Sequence, residues 1–194
     1  KWKKELRDKF QIDSMISSFQ DLQNTLLECK SIGPHHSFAV IATYTGIKCS
    51  REEAKTLGRA HYDDAKLSTK GKFLHSLRNW ESNFAPFDLV VFDEAQAMRN
   101  PSTAAYRMGE SLAMHAGAVL CVSATPLATS NEDLRTLLRL IDPDFFDNQF
   151  LFNTLINANR PAVQASNYLS ASPPNIIEAK DAINSLKQME FFKD

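Results

Sequence analysis

Apolar residues in this chain follow two different patterns. Over residues 12–27 they recur at helical spacing, which predicts an amphipathic helix. Over residues 38–43, 87–92 and 118–123 they form short uninterrupted runs that contain β-branched residues. Such runs are typical of buried strands in a parallel sheet.

Polar residues mark where further helices begin. Ser50 precedes Glu53, and Ser130 precedes Asp133, at the spacing of a capping box. Another helix is predicted after Pro101, with Ser102 or Thr103 as its cap. Helices therefore separate the predicted strands, and this alternation predicts an α/β fold in which helices flank a parallel sheet.

The last part of the chain contains helical patterns only. We predict an α/β lobe over residues 1–145 and a helical extension over residues 146–194. Proline lacks a backbone N–H, so Pro161 and the segment 172–174 are predicted to interrupt the helices of the extension. The polar stretch 61–72 is predicted to be a loop.

Composition narrows the class of protein without selecting a function. Of the 194 residues, 43% are hydrophobic and 23% are charged, as in ordinary globular domains. The net charge of −1 gives no electrostatic argument for nucleic-acid binding. Three cysteines without paired spacing favour a reducing, cytoplasmic compartment over a disulfide framework or a zinc site. No apolar run approaches the roughly 18 residues that a membrane-spanning helix needs.

Two carboxylates follow the strand predicted at 87–92. Asp93 and Glu94 are expected at the carboxyl end of that strand, where ligands of parallel sheets gather. One carboxylate in such a pair can hold Mg²⁺ through water, while its neighbour orients and deprotonates the water that attacks a phosphate. An acidic pair in this place can also simply begin a loop, so the pair alone does not decide the function.

Hydroxyl residues follow the next predicted strand. Ser123 and Thr125 stand at the end of the run 118–123, so we expect their side chains close to the acidic loop. Hydrogen bonds between the two strand ends would transmit the state of one to the other. Taken alone, these residues are equally typical of turns, where their hydroxyls form hydrogen bonds with nearby backbone groups. Together with the acidic pair they favour a site of phosphoryl transfer.

The two strand ends also carry a family resemblance. The stretches VVFDEAQAMRN and VLCVSATPLATSNEDLRTLLRLIDPDFF resemble helicase motifs two and three of the superfamily-two ATPases. They are most similar to those of SWI/SNF-type translocases and their bacterial RNA-polymerase-associated relatives. The segments 2–10 and 38–44 resemble other parts of the first lobe in that family, and 159–161 resembles a segment that follows the first lobe in its bacterial branch. The resemblance touches most of residues 1–165 and is strongest over 87–146.

The resemblance implies an incomplete RecA-like lobe of the P-loop NTPase class, which uses ATP and Mg²⁺. Asp93 would bind Mg²⁺ through water, and Glu94 would be the catalytic base. Gln96 stands where the family commonly has His, and would sense the γ-phosphate and a second lobe without a group that titrates near neutrality. Ser123 and Thr125 would couple the ATP state to movement along nucleic acid.

The resemblance also implies two nucleic-acid contacts. Thr43 and Tyr44 would lie near the nucleic-acid backbone, where a hydroxyl or a backbone N–H contacts phosphate without reading sequence. An aromatic ring packed at a strand end is an equal alternative for Tyr44. The implied partner of the parent protein is nucleic acid, with double-stranded DNA favoured.

The sequence lacks the phosphate-binding loop Gly-x-x-x-x-Gly-Lys-Ser/Thr that such an ATPase needs. Gly71-Lys72 fails as a candidate because Phe73 stands where Ser or Thr is required, and we interpret it as a loop. We expect the true loop to precede Lys1 in a longer parent that also carries the second RecA-like lobe. This chain alone would then not turn over ATP. The absent strand would leave the edge of the strand at 118–123 open, which predicts self-association.

Two other functions stay open at this point. A motor-like lobe that has lost its phosphate loop would be a non-catalytic interaction scaffold, and an initiator Met close to residue 1 would support that interpretation. The same motor would also suit a subunit of a restriction or defence system. A nuclease or methyltransferase domain in the full gene would identify that case.

Overall fold

The computed structural model describes residues 1–33, 37–59, 61–124 and 130–187. The chain divides into two compact units, the first being Lys1–Ile141 and the second beginning at Asp142.

The secondary structure of the first unit mixes short strands with helices. Its strands are β1 (Met15–Ile16), β2 (Val40–Ile41), β3 (Val90–Asp93) and β4 (Val119–Val122). Its helices are α1 (Trp2–Phe10), α2 (Phe19–Ile32), α3 (Tyr44–Ile47), α4 (Arg51–Leu57), α5 (Thr69–Arg78), α6 (Ala104–Ala113) and α7 (Asn131–Ile141). Short 3₁₀ helices cover Asp64–Lys66 and Ala95–Met98. The second unit contains α8 (Pro143–Phe146), α9 (Gln149–Ser170) and α10 (Ile176–Lys187).

The strands of the first unit pair in parallel. β1 lies beside β2, and β3 lies beside β4 with Asp93 opposite Val122. Because β3 and β4 run in the same direction, the residues that follow them, Glu94 and Ser123, lie at the same end of the sheet. The predicted α/β class, with short parallel sheets flanked by helices, is confirmed and is consistent with a partial RecA-like lobe.

The β3–β4 pair has one covered face and one exposed face. Phe92 is 2% exposed and belongs to the core, whereas Val91 and Leu120, on the other face by strand alternation, are 44% and 49% exposed. The prediction of fully buried strands is therefore wrong for that face. Within the described residues β4 has β3 as its one strand neighbour. Self-association through the other edge of β4 stays a prediction.

The core of the first unit holds the loop after β3 in place. Its largest fully buried side chains are Phe73, Leu57, Leu74, Leu77, Met98, Met108, Thr136 and Ser111. Ala95 and Met98, which begin and end the 3₁₀ helix after the acidic pair, are both 0% exposed. Burial of two residues so close to Glu94 fixes the path of the backbone at the carboxyl end of β3.

Polar side chains cap the helices at the predicted places. Ser50 and Glu53 form the predicted capping box at the start of α4. Thr103 caps α6, which follows Pro101 as predicted. The Asp133 backbone N–H donates to Ser130 Oγ at 3.2 Å at the start of α7. These starts are confirmed because a hydroxyl oxygen accepts from a backbone N–H that has no partner inside the helix.

The single helix predicted over residues 12–27 is wrong before Phe19. Met15 and Ile16 form β1, and Ser18 begins α2 with its own capping box to Asp21. A strand of two residues is too short to display an alternating pattern, so its apolar residues merged with the helical stripe that follows.

The loop predicted at 61–72 ends earlier than expected. Ser68 caps α5, so Gly71 and Lys72 lie in the first turn of that helix and their interpretation as loop is wrong. A Cβ at position 71 would lie 2.6 Å from Oε1 of Glu53. The carboxylate of Glu53 therefore lies against α5 where Gly71 has no side chain, and a larger residue would have to displace it.

In the second unit, Pro161 does not interrupt α9, contrary to prediction. Pro161 is buried, as are Ala158 and Ala165 on the same helix, and α9 packs against α10. This packing compensates for the hydrogen bond that proline removes. The predicted break at 172–174 is confirmed, and the predicted boundary at residue 145 falls inside α8. Among the described residues, no helix is both long enough and apolar enough to cross a membrane.

Candidate functional site

The acidic pair stands at the carboxyl end of β3. Asp93 is the last residue of the strand, and Glu94 follows it with φ 53° and ψ 47°. This left-handed conformation is uncommon for a residue with a Cβ. Both side chains are exposed, while the next residue, Ala95, is buried. The sharp turn therefore keeps two consecutive carboxylates at the surface, each with different partners.

Asp93 is held at three oxygen atoms. Its Oδ1 accepts from the backbone N–H of Glu94 at 3.1 Å, and its Oδ2 accepts from Trp2 Nε1 at 2.7 Å. Its backbone carbonyl accepts from the hydroxyl of Tyr44 at 2.5 Å. Residues from α1 and from the start of α3 thus converge on the end of β3.

A chain of hydrogen bonds joins Glu94 to the end of β4. Gln96 Nε2 donates to Glu94 Oε2 at 2.5 Å, and Ser123 Oγ donates to Gln96 Oε1 at 2.6 Å. The structure therefore brings together Glu94, Gln96 and Ser123, which the sequence had assigned to one site. Thr125, the other predicted coupling residue, lies outside the described residues.

The two residues predicted to contact nucleic acid differ in their surroundings. Thr43 is exposed and caps α3, with its Oγ1 accepting from the backbone N–H of Gly46 at 3.1 Å. Tyr44 is half-buried, and its hydroxyl is engaged by Asp93. Burial, together with the negative charges nearby, raises the pKa of Tyr44 to about 12. The phenol is therefore a neutral donor at physiological pH and links α3 to the acidic loop.

The donor set at Asp93 fits a hydrated Mg²⁺ ion shared with a phosphate. A carboxylate offers about four acceptor positions, so two N–H partners leave capacity for water molecules on a metal. Mg²⁺ commonly binds through one or two carboxylates, water and phosphate oxygens. In the described part of the chain, no group of three or more His, Cys, Asp or Glu side chains could form an all-protein metal site.

Sequence reasoning missed the contribution of Trp2 to this site. The segment around Trp2 matched the family resemblance, but it had no assigned role. Trp2 and Asp93 are 91 positions apart, and no spacing rule connects residues at that separation. Only the fold shows that the indole N–H reaches the carboxylate.

Comparison with known proteins identifies the family of the chain. The family model described as "SNF2-related domain" matches residues 1–189. The chain belongs to this family. It is also 33% identical over 106 residues to the RNA polymerase-associated protein RapA of Pasteurella multocida (strain Pm70). That match covers 53% of this chain and 11% of RapA, so the chain corresponds to a small part of that relative. The predicted resemblance to SWI/SNF-type ATPases is confirmed.

Proposed function

We propose that this SNF2-related chain is the part of an ATP-dependent nucleic-acid translocase that carries the hydrolytic carboxylates of its first lobe. The observation that supports this most is the arrangement at the sheet end. Asp93 and Glu94 follow β3 directly, and Gln96 links Glu94 to Ser123 beside them. The partner of the whole protein is proposed to be nucleic acid, with double-stranded DNA favoured.

Each carboxylate has a separate proposed role. When bound, ATP and Mg²⁺ supply the phosphate to be cleaved and the positive charge that stabilises it. Asp93 would hold the water shell of the metal, and the backbone N–H of Glu94 on its Oδ1 would help to orient it. Glu94 would orient the attacking water and accept its proton, and the amide of Gln96 on Oε2 leaves Oε1 to do so.

The hydrogen-bonded residues around the acids have proposed coupling roles. Movement of the β4 end would displace Ser123 and, through Gln96, change the orientation of Glu94. Thr125 is proposed to act with Ser123 on the strength of the family resemblance. Thr43 and Tyr44 are proposed to lie beside the nucleic-acid backbone, and the bond from Tyr44 to Asp93 would connect that contact to the acidic site.

Residues 1–194 alone are expected not to hydrolyse ATP, because their sequence contains no phosphate-binding loop to hold the triphosphate. Phosphate release can be measured with malachite green in the presence of ATP, Mg²⁺ and double-stranded DNA. The expected signal equals the blank. Turnover by this chain that disappears in Glu94→Gln would contradict the expectation.

The proposed role of Glu94 is tested in the full-length protein. Glu94→Gln should lower kcat for DNA-stimulated ATP hydrolysis by about 10²–10⁴-fold, the usual contribution of general base catalysis, while ATP binding is retained. Glu81→Gln is the matched control, because Glu81 is also exposed and stands in the loop before the amino end of β3. Undiminished hydrolysis in Glu94→Gln would refute the assignment. A full-length protein without any ATPase activity would instead support the scaffold alternative.

A further inference from the structure

Trp2 makes a contact that has no role in the chemistry proposed above. Its indole N–H donates to Oδ2 of Asp93 at 2.7 Å, across 91 positions of sequence. The acceptor is a carboxylate, and hydrogen bonds to ionised acceptors are about twice as strong as those between neutral groups. The contact therefore joins α1 directly to the acid that is proposed to serve the metal.

Packing explains the position of Trp2 only in part. Trp2 is 42% exposed, and none of the residues of α1 is buried. The N–H of a partly covered indole usually has a hydrogen-bond partner. For Trp2 that partner is the carboxylate of Asp93, so we look for the function of the contact at that carboxylate.

The contact fixes one of two carboxylate oxygens. Oδ1 accepts from the backbone N–H of Glu94, which is part of the same loop, whereas Oδ2 depends on Trp2. Without the indole, the hydrogen bond at Oδ1 alone would orient the exposed carboxylate. Partners in the second coordination sphere commonly orient metal-binding carboxylates in this way, and their loss lowers metal affinity 10–100-fold.

We propose that Trp2 is a positioning residue for Mg²⁺, whose indole N–H holds the Asp93 carboxylate in the orientation that receives the hydrated ion. This inference rests on the proposed function, because it takes Asp93 as the metal-binding acid. It adds that α1, which contributes no residue to the core, controls metal binding through a single hydrogen bond.

The experiment follows Mn²⁺, a paramagnetic substitute for Mg²⁺, by NMR on the ¹⁵N-labelled chain. Broadening of the Glu94 amide signal reports binding next to Asp93. Trp2→Phe keeps an aromatic ring but removes the N–H, and should weaken Mn²⁺ binding about 10–100-fold. Trp80→Phe is the matched control, because it removes an indole N–H that donates to the Phe84 carbonyl at 2.9 Å, and should leave Mn²⁺ binding unchanged.

A second signal tests the contact itself. The indole Nε1–H resonance of Trp2 should move upfield in Asp93→Ala, where its acceptor is gone, and stay in place in Asp88→Ala, an exposed acid before the amino end of β3. If the Trp2 indole N–H resonance does not shift in Asp93→Ala, the inference is overturned. So does Mn²⁺ binding that is equal in Trp2→Phe and the unmodified chain.

Failure of the proposed function gives a different result. Mn²⁺ broadening at Glu94 that is lost in Asp93→Ala but kept in Trp2→Phe would overturn the role of Trp2 and leave the role of Asp93 intact. Broadening that is absent from the unmodified chain, or that survives Asp93→Ala, would overturn the metal role of Asp93, and the inference about Trp2 with it.

Discussion

Glu53 joins the starts of two helices, and its removal should destabilise the first unit. Its Oε2 accepts from the backbone N–H of Ser50 at the start of α4, at 3.0 Å. Its Oε1 accepts from the backbone N–H of Ser68 at the start of α5, at 2.6 Å. Glutamine at position 53 has one oxygen in place of two, so Glu53→Gln turns one of these contacts into an N–H facing another N–H.

The magnitude follows from the pKa of Glu53. Burial by itself raises this pKa, but the hydrogen bonds from Ser68 and Ser50 outweigh it and hold the pKa at about 2, below the ordinary value of 4.5. Such a shift corresponds to about 3 kcal/mol before solvent is considered. Because the carboxylate lies near the surface, where water screens it, we expect about 1–2 kcal/mol at pH 7.

The same pKa fixes how this contribution depends on pH. The unfolded chain binds a proton at Glu53 near pH 4.5, whereas the folded chain resists protonation until about pH 2. The contribution is therefore complete above pH 4.5 and is lost as the pH falls toward 2. The stability difference between the unmodified chain and Glu53→Gln should shrink by more than half between pH 7 and pH 3.

Urea denaturation at several pH values measures this difference. Tryptophan fluorescence is a suitable signal, because both tryptophans, Trp2 and Trp80, lie in the first unit. Glu52→Gln is the control for helix-dipole effects, since Glu52 occupies the same first turn and its side chain is 82% exposed. That variant should change stability by less than about 0.5 kcal/mol. A stability loss in Glu53→Gln that is the same at pH 7 and pH 3 would refute the reasoning.

Two further predictions concern Tyr44 and the core. In a titration of absorbance at 295 nm, Tyr44→Phe should remove a component near pH 12 and leave the rest of the curve unchanged, because burial raises the pKa of Tyr44 to about 12. An unchanged component near pH 12 would contradict this. Leu74→Ala should cost about 2–5 kcal/mol in urea denaturation, because Leu74 is 0% exposed. Leu27→Ala, at a position 58% exposed in another helix, should stay within about 0.5 kcal/mol, and equal losses would contradict the assigned core.

The strand ends were the most predictable part of the molecule. An apolar run stops at Asp93 and another stops before Ser123, so sequence alone indicated that the two would lie together. The capping box at Ser50 and the cap after Pro101 were equally predictable from the sequence, because they depend on residues within three or four positions of one another. Local chemistry of this kind needs no knowledge of the fold.

Other features depend on contacts that sequence does not display. Gly71 was interpreted as loop because its reason, the approach of Glu53 from α4, becomes visible only when α4 and α5 are packed. Pro161 was predicted to end a helix because propensity rules ignore the support that α10 gives to α9. The hydrogen bond from Trp2 to Asp93 belongs to the same class.

Glu94 adopts a left-handed backbone conformation that is unfavourable for glutamate. With φ at 53°, glycine or asparagine would relieve strain on the order of 1 kcal/mol or more. An engineer who ranked substitutions at this position by melting temperature alone would therefore discard glutamate early. The gain in thermal stability would come from removing the one side chain proposed to activate water. Selection for stability and selection for catalysis should therefore favour different residues at position 94.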